Sequence, residues 1–296
     1  MSKLLVALAC YGAGASIGTL VTRRATPDWW RYFVRGQLLA VGSTVAVLAG
    51  WRLTVGSSLW GGFALAAAMV AVYAVAETTR RRIEPVRSAG EAALESWAAS
   101  ANTSFWGIPM TTVIAGPAGA VAMVLADQLL TPLDVLRIRL LRRDAPHPQH
   151  ARTSVFDYAG ASGFVIGIIL GRVVVAPAWT ASAISVLGPF LAFSGALMWS
   201  GSVQHVLRKL ERPTRDGWER YLLLSAVRIV AFGVVAVCFW RDPVAVAALL
   251  CALTAPTFFP PTGALLYGYH SHTVGIASRW GWLLPPLGFS AAWLAR

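Results

Sequence analysis

Charge is scarce in this chain. Aspartate and glutamate together number 13 in 296 residues, and all charged residues make up 13%. A soluble domain carries about twice that fraction. With 56% hydrophobic residues and a mean hydropathy of +0.61, the composition excludes a soluble globular protein and points to a polytopic membrane protein. Cysteine is scarce too. Cys10, Cys238 and Cys251 are odd in number, lie in apolar runs and show no metal or redox spacing, so they read as small packing residues. Enzyme signatures are absent: there is no Walker-type loop, no GxSxG and no HExxH. An intramembrane enzyme needs paired His, Asp or Ser at membrane depth, and none is found, so no catalytic residue, metal or cofactor is expected. The net charge of +12 would suggest nucleic acid in a soluble protein. Here the basic residues gather in short loops between apolar runs, so membrane topology accounts for them and no nucleic-acid partner is expected.

A bilayer-crossing helix needs about 20 mostly apolar residues. Ten such segments are read, at 4–22, 33–51, 57–77, 92–112, 116–137, 157–175, 180–203, 219–240, 243–266 and 275–295. The first follows Lys3 and precedes Arg23-Arg24; lacking a small-x-small cleavage site, it reads as an uncleaved helix. The longest polar linker, 144–155, separates a first five-helix unit, 1–143, from a second, 156–296. With ten crossings, 19 of the 25 basic residues fall on the side of Arg23, in loops that include Arg80–Arg82, Arg137–Arg143 and Arg208–Arg220. That side is cytoplasmic by the positive-inside rule, with both termini outside a bacterial-type inner membrane. Tryptophans at 29, 30, 51, 60, 179, 218, 240 and 280 lie near segment ends, as interfacial anchors do.

Five helices per unit is an odd number, so homologous units insert in opposite orientations and form an inverted repeat. Both units are interrupted at matching places. Pro109 falls about 105 residues after the first segment begins, and Pro261 about 104 after the sixth. The fourth segment carries Asn102, Thr103, Gly107, Ile108 and Pro109; the ninth carries Pro256, Thr257, Pro260, Pro261, Thr262 and Gly263. Prolines end regular helix and push the preceding residue to extended geometry. Lipid cannot satisfy freed backbone groups, so broken helix at membrane depth is expected only beside protein or a wet cavity. Half-helix N-termini favour anions. Opposing carbonyl ends, with Asn102, Thr103, Thr257 and Thr262, suit a cation or a hydrogen-bond donor. The expected cargo is a small anionic or zwitterionic molecule, held by Asn102, Thr103, Gly107, Ile108 and Pro109 together with Pro260, Pro261, Thr262 and Gly263.

Other polar residues carry two readings each. Arg228, inside the eighth segment, either pairs with a cargo carboxylate or snorkels to the cytoplasmic face. Asp127 either carries a proton, pairs with Arg228, or makes a packing hydrogen bond; Asp134 lies beyond it. Glu91 and Glu95, at the start of the fourth segment, suit helix N-terminal electrostatics. His270 and His272 are read as solvated rather than metal-binding. Trp97 and Trp106, inside the fourth segment, either wall a cavity or fill core.

Asn102-Thr103-x-x-x-Gly107-x-Pro109, followed by Gly116 and a hydrophobic helix bearing Asp127, resembles the fourth and fifth helices of the auxin efflux carrier family. Pro261-Thr262-Gly263 is similar to that family's second break. The wider fold is shared with bile acid/sodium symporters. The resemblance implies an all-α membrane protein whose helices 4 and 9 are broken and cross. It implies a transport core of helices 3–5 and 8–10 moving like an elevator against a scaffold of helices 1, 2, 6 and 7, the latter offering a homodimer surface. The expected function is a secondary transporter or uniporter of a small organic anion. The alternatives are a sodium-coupled symporter of the bile acid type, or a non-transporting sensor or scaffold that keeps the fold.

Overall fold

The computed structural model describes residues 2–22, 36–83, 88–146, 158–207, 213–257 and 259–296. Most of the linker read at 144–155, and the loops bearing Arg23–Arg35 and Arg208–Arg212, lie outside these residues. All regular structure among the described residues is helical. In chain order the helices are α1 (Ser2–Thr22), α2 (Ser43–Trp51, entered through a π turn at Leu38–Gly42), α3 (Ser57–Ile83), α4 (Ala89–Ala98) and α5 (Ile108–Arg143). There follow α6 (Ala159–Val173), α7 (Trp179–Leu207), α8 (Arg215–Cys238), α9 (Pro243–Ala252), α10 (Phe259–Tyr267), α11 (His272–Trp280) and α12 (Pro285–Leu294).

Among the described residues, four helical stretches are long and apolar enough to cross a bilayer: Ser57–Thr78, Ala89–Arg143, Trp179–Ser200 and Arg215–Cys238. The second is not one rod. The backbone leaves helical geometry at Gly116 (φ 76°, ψ −168°), a left-handed conformation that glycine adopts without a Cβ penalty. Pro117 follows at the start of the next arm, where its missing N–H costs nothing. Thr103 and Ser104 donate to the Asp127 carboxylate, 24 and 23 residues further on. A straight helix would hold these groups roughly 35 Å apart. The chain therefore folds back at Gly116, and two antiparallel arms, 108–115 and 117–143, pack side by side.

Polar caps fix where several helices begin. The hydroxyl of Ser88 accepts from the Glu91 amide at α4, Thr214 from Gly217 at α8, Asp242 from Val244 at α9, and Ser271 from Val274 at α11. Glu95 does not serve the start of α4. It is buried, accepts from Ser271 and Thr273, and lies 3.6 Å from Arg220, tying α4 to α8 and α11. Tyr269, in the α10–α11 loop, donates to the Leu141 carbonyl at 2.8 Å. Burial pushes its phenol up to about 12, so it stays a donor at neutral pH.

The main core lies where α3, the second arm of α5, α8 and α9 meet, around Leu65, Met69, Met123, Leu125, Phe232 and Cys251. Beside it, α1 packs along α7 and α2 along α6. Glycine makes both of those contacts close. Gly14 and Gly18 of α1 face the Phe193 and Leu197 carbonyls of α7. Gly163 and Gly171 of α6 sit so near α2 that an added Cβ would meet the Ser43 and Trp51 carbonyls at 2.9 and 2.8 Å. Between them, Gly167 lies against the Val47 carbonyl. Small residues let helix backbones approach when lipid offers no hydrophobic drive for association. Trp60, Trp179, Trp240 and Trp280 are exposed near helix ends, where amphipathic indoles anchor in a membrane interface.

Gly167→Ala is expected to lower stability by about 1–3 kcal/mol through backbone collision. Gly12→Ala, whose new Cβ meets nothing within 4 Å, should change it by no more than about 0.5 kcal/mol. Thermal unfolding in detergent compares the two; equal melting temperatures would refute the close α2–α6 contact.

Candidate functional site

The fourth segment breaks where α4 ends. Residues 99–102 are not helical, Thr103–Gly107 form a π turn, and α5 then begins. Single π turns of this kind cluster at functional sites. Asn102 organises the turn: its Oδ1 accepts from the Phe105 amide at 3.2 Å, and its carbonyl accepts from Gly107 at 2.8 Å. At Gly107 the packing is close: a Cβ there would meet the tip of the flexible Met123 side chain at 3.0 Å. Pro109 sits in the first turn of α5, where its missing N–H costs nothing.

The ninth segment breaks earlier than its prolines suggest. α9 ends at Ala252, residues 253–257 are non-helical, Phe258 lies outside the described residues, and α10 starts at Phe259. Pro260, Pro261, Thr262 and Gly263, read from the sequence as part of the interruption, are helical. The reason is positional: proline interrupts a helix interior but fits a first turn, so the two prolines start α10 instead of breaking it.

The two breaks meet. The Asn102 amide donates to Thr254 Oγ1 at 3.0 Å, and Asn102 Nδ2 donates to the Pro256 carbonyl at 3.2 Å. Behind them lies Arg228, only 3% exposed. Its Nε donates to the Ala252 carbonyl at 3.1 Å and its Nη1 to the Ala99 carbonyl at 2.9 Å, at the C-terminal ends of α9 and α4. Arg228 thus neither snorkels to a surface nor pairs with Asp127. Its partners are instead the carbonyls at two helix ends.

A cavity of about 180 Å³ opens between these breaks and the helices α2, α6 and α7. Gln37, Val45, Gly160 and Leu191 line one wall; Trp97, Ser104, Asp127, Asp134, Gln128 and Phe259 line the other. A smaller pocket of about 50 Å³ continues inward to Asn102, Thr103, Ser104, Thr257 and Tyr73. Trp97 and Phe259, one from each broken segment, stack across the site with centroids 5.4 Å apart at 24°. Trp106 stands elsewhere, packed edge-on against Tyr11.

Two carboxylates face this space. Asp127 accepts from Thr103, from Ser104 at 2.7 Å and from Gln128 at 2.9 Å. Asp134 accepts from the Trp97 indole at 2.8 Å and pairs with Arg137 at 2.7 Å. Arg137, placed by the sequence among loop cations, is instead buried, its guanidinium 3.5 Å from the Tyr73 ring centroid. One acid is balanced by Arg137; Asp127 is held by neutral donors.

Of the residues singled out from the sequence, the structure therefore brings Trp97, Asn102, Thr103, Ile108, Asp127, Asp134 and Thr257 to the cavities. Gly107, Pro109, Pro260 and Pro261 are buried and shape the breaks without lining them. The side chain of Thr262 lies outside the described residues. Ser104, Gln128 and Phe259 were missed; the polar pair Asp127-Gln128 within an apolar helix was the signal for one of them. No family model matches the chain, and no curated protein is similar to it.

Asn102→Ala deletes the bond to Pro256 and the cap on Phe105. It should lower stability by about 1–3 kcal/mol, whereas Asn102→Asp, which keeps the cap acceptor, should lose less. Thermal unfolding of the three proteins decides the order.

Proposed function

We propose that this protein is a secondary transporter with ten crossings in two inverted five-helix repeats, moving a small organic acid by alternating access around the crossed breaks. One observation carries the reading: two interrupted segments, from opposite halves, hydrogen-bond to each other through Asn102 at the wall of a polar cavity. Backbone irregularity in an apolar bundle is tolerated only in such settings, and transporters place cargo there.

The packing supports the repeat. α1 and α6 are equivalent if the halves are related by inversion, as are α2 and α7. α1 lies on α7 and α6 lies on α2, so the symmetry exchanges one contact for the other. In each pair glycines sit on the equivalent helix, at Gly14 and Gly18 in α1 and at Gly163, Gly167 and Gly171 in α6, and the α2–α6 pair adds Gly50 of α2 against the Phe164 carbonyl. The cavity wall supports the elevator division into core and scaffold. Its faces come from α4, α5 and α10 on one side and from α2, α6 and α7 on the other. The cavity also runs to Gln37, Ile138 and Gly160, near the loops rich in arginine. That position supports reading this as an inward-facing state of an inner-membrane protein.

Size and charge limit the cargo. The space is below the ~300–1,000 Å³ of drug-sized ligand sites, so the acid is one of a few carbons. An anionic cargo meets Asp127 in the same small cavity, and two carboxylates sharing a site do not both stay charged. The organic anion therefore travels with a proton on Asp127, hydrogen-bonded by Thr103 and Ser104.

Proteoliposome flux of labelled short-chain organic acids tests this. Wild type should concentrate an acid along an imposed proton gradient. Asp127→Asn should retain exchange but lose the response to the gradient, and Thr103→Val should reduce flux at least tenfold. Absence of flux for every small acid tried would refute the transporter reading; an Asp127→Asn protein still driven by the gradient would refute the proton's place.

A further inference from the structure

Arg228 is the group in this bundle that the cargo reading leaves unused. Its guanidinium is buried, and no carboxylate among the described residues forms an ion pair with it. Placing a lone charge in such surroundings costs several kcal/mol unless its partners compensate. The partners are the Ala99 and Ala252 carbonyls, at the C-terminal ends of α4 and α9. Each helix end carries roughly half a negative charge from carbonyls without intrahelical partners. Two such ends brought together sum to about one negative charge, which one guanidinium cancels. The same two ends, with nearby hydroxyl oxygen from Thr254, would otherwise form the kind of oxygen-lined seat that unwound helices offer to a sodium ion.

We propose that Arg228 is the resident cation of the crossing: it occupies the electrostatic position of a bound alkali ion, so the protein binds and requires none there. The inference rests on the reading of the crossed breaks as the working centre of a transporter, and it turns that reading away from sodium symport. Both half-helices end on the same guanidinium, so the counter-charge stays in place whether or not cargo is present. Arg228 is a positioning residue on this account, acting through the helix ends and not by touching the cargo.

The test is the cation dependence of thermal stability in the purified full-length protein, which needs no knowledge of the cargo. Wild type is expected to melt at the same temperature in sodium chloride, potassium chloride and choline chloride of equal ionic strength. Arg228→Lys keeps the charge and should share that indifference. Arg228→Gln loses the charge; it should melt several degrees lower in choline, and be raised by sodium or by millimolar methylguanidinium, far below denaturing concentrations. A wild-type protein stabilised by sodium over choline overturns the proposal, as does an Arg228→Gln protein equal to Arg228→Lys in choline. If the Gln variant does not fold, the wild-type comparison alone decides, since a filled seat cannot respond to sodium. Failure of these tests leaves flux of organic acids untouched, and loss of flux leaves these melting curves untouched, so the two ideas fail separately.

Discussion

Unsatisfied backbone is the constraint on which this structure turns. Where a helix stops inside an apolar bundle, N–H and C=O groups lose their partners, and no water stands by to replace them. The chain stops two helices in this way and brings the stops together. Asn102 spans the gap with its amide and its side chain, the Thr103–Gly107 turn is capped by the Asn102 side chain, and Arg228 collects the carbonyl ends. Each solution needs the other break nearby. The interruption at 253–257 supplies acceptors for Asn102, and both α4 and α9 supply them for Arg228.

Around that pair the bundle uses two kinds of packing. The α3, α5, α8 and α9 core is built from large interdigitating side chains such as Met69, Met123 and Phe232. The α1–α7 and α2–α6 contacts are built from glycine against backbone carbonyls. The first kind fixes a unique arrangement by shape; the second holds helices together where solvent-driven association is unavailable. The cavity runs along the seam between these regions, where neither kind of packing is complete.

Much of the helical layout was legible from hydropathy alone, because an apolar run near twenty residues has few other uses. The turn at Gly116-Pro117 was legible for a conformational reason: that dipeptide suits a left-handed residue followed by a helix start. The break at Asn102 was legible from polar residues beside Gly107 and Pro109. The second break was placed too late, because a proline pair reads as disruption until one knows that a helix begins there. The snorkelling reading of Arg228 and the loop placement of Arg137 failed for a common cause. Sequence gives the distance of a cation from a segment end but not the acceptors that another segment folds beside it. Stacking of Trp97 on Phe259 joins residues from different halves, and no local pattern announces such a pair.

The fold-back at Gly116 carries a mechanical implication. Because the two arms of α5 run antiparallel, Thr103 and Ser104 are clamped to Asp127 by hydroxyl-to-carboxylate bonds. The polar end of one arm and the acid of the other thus form a single rigid piece. Any displacement that carries the first break through the membrane carries the carboxylate with it, at constant separation. On the transport proposal, a passenger resting on the break and a proton resting on the acid would ride one carriage, coupled by the hydrogen-bonded clamp between the two arms and not by the timing of two gates.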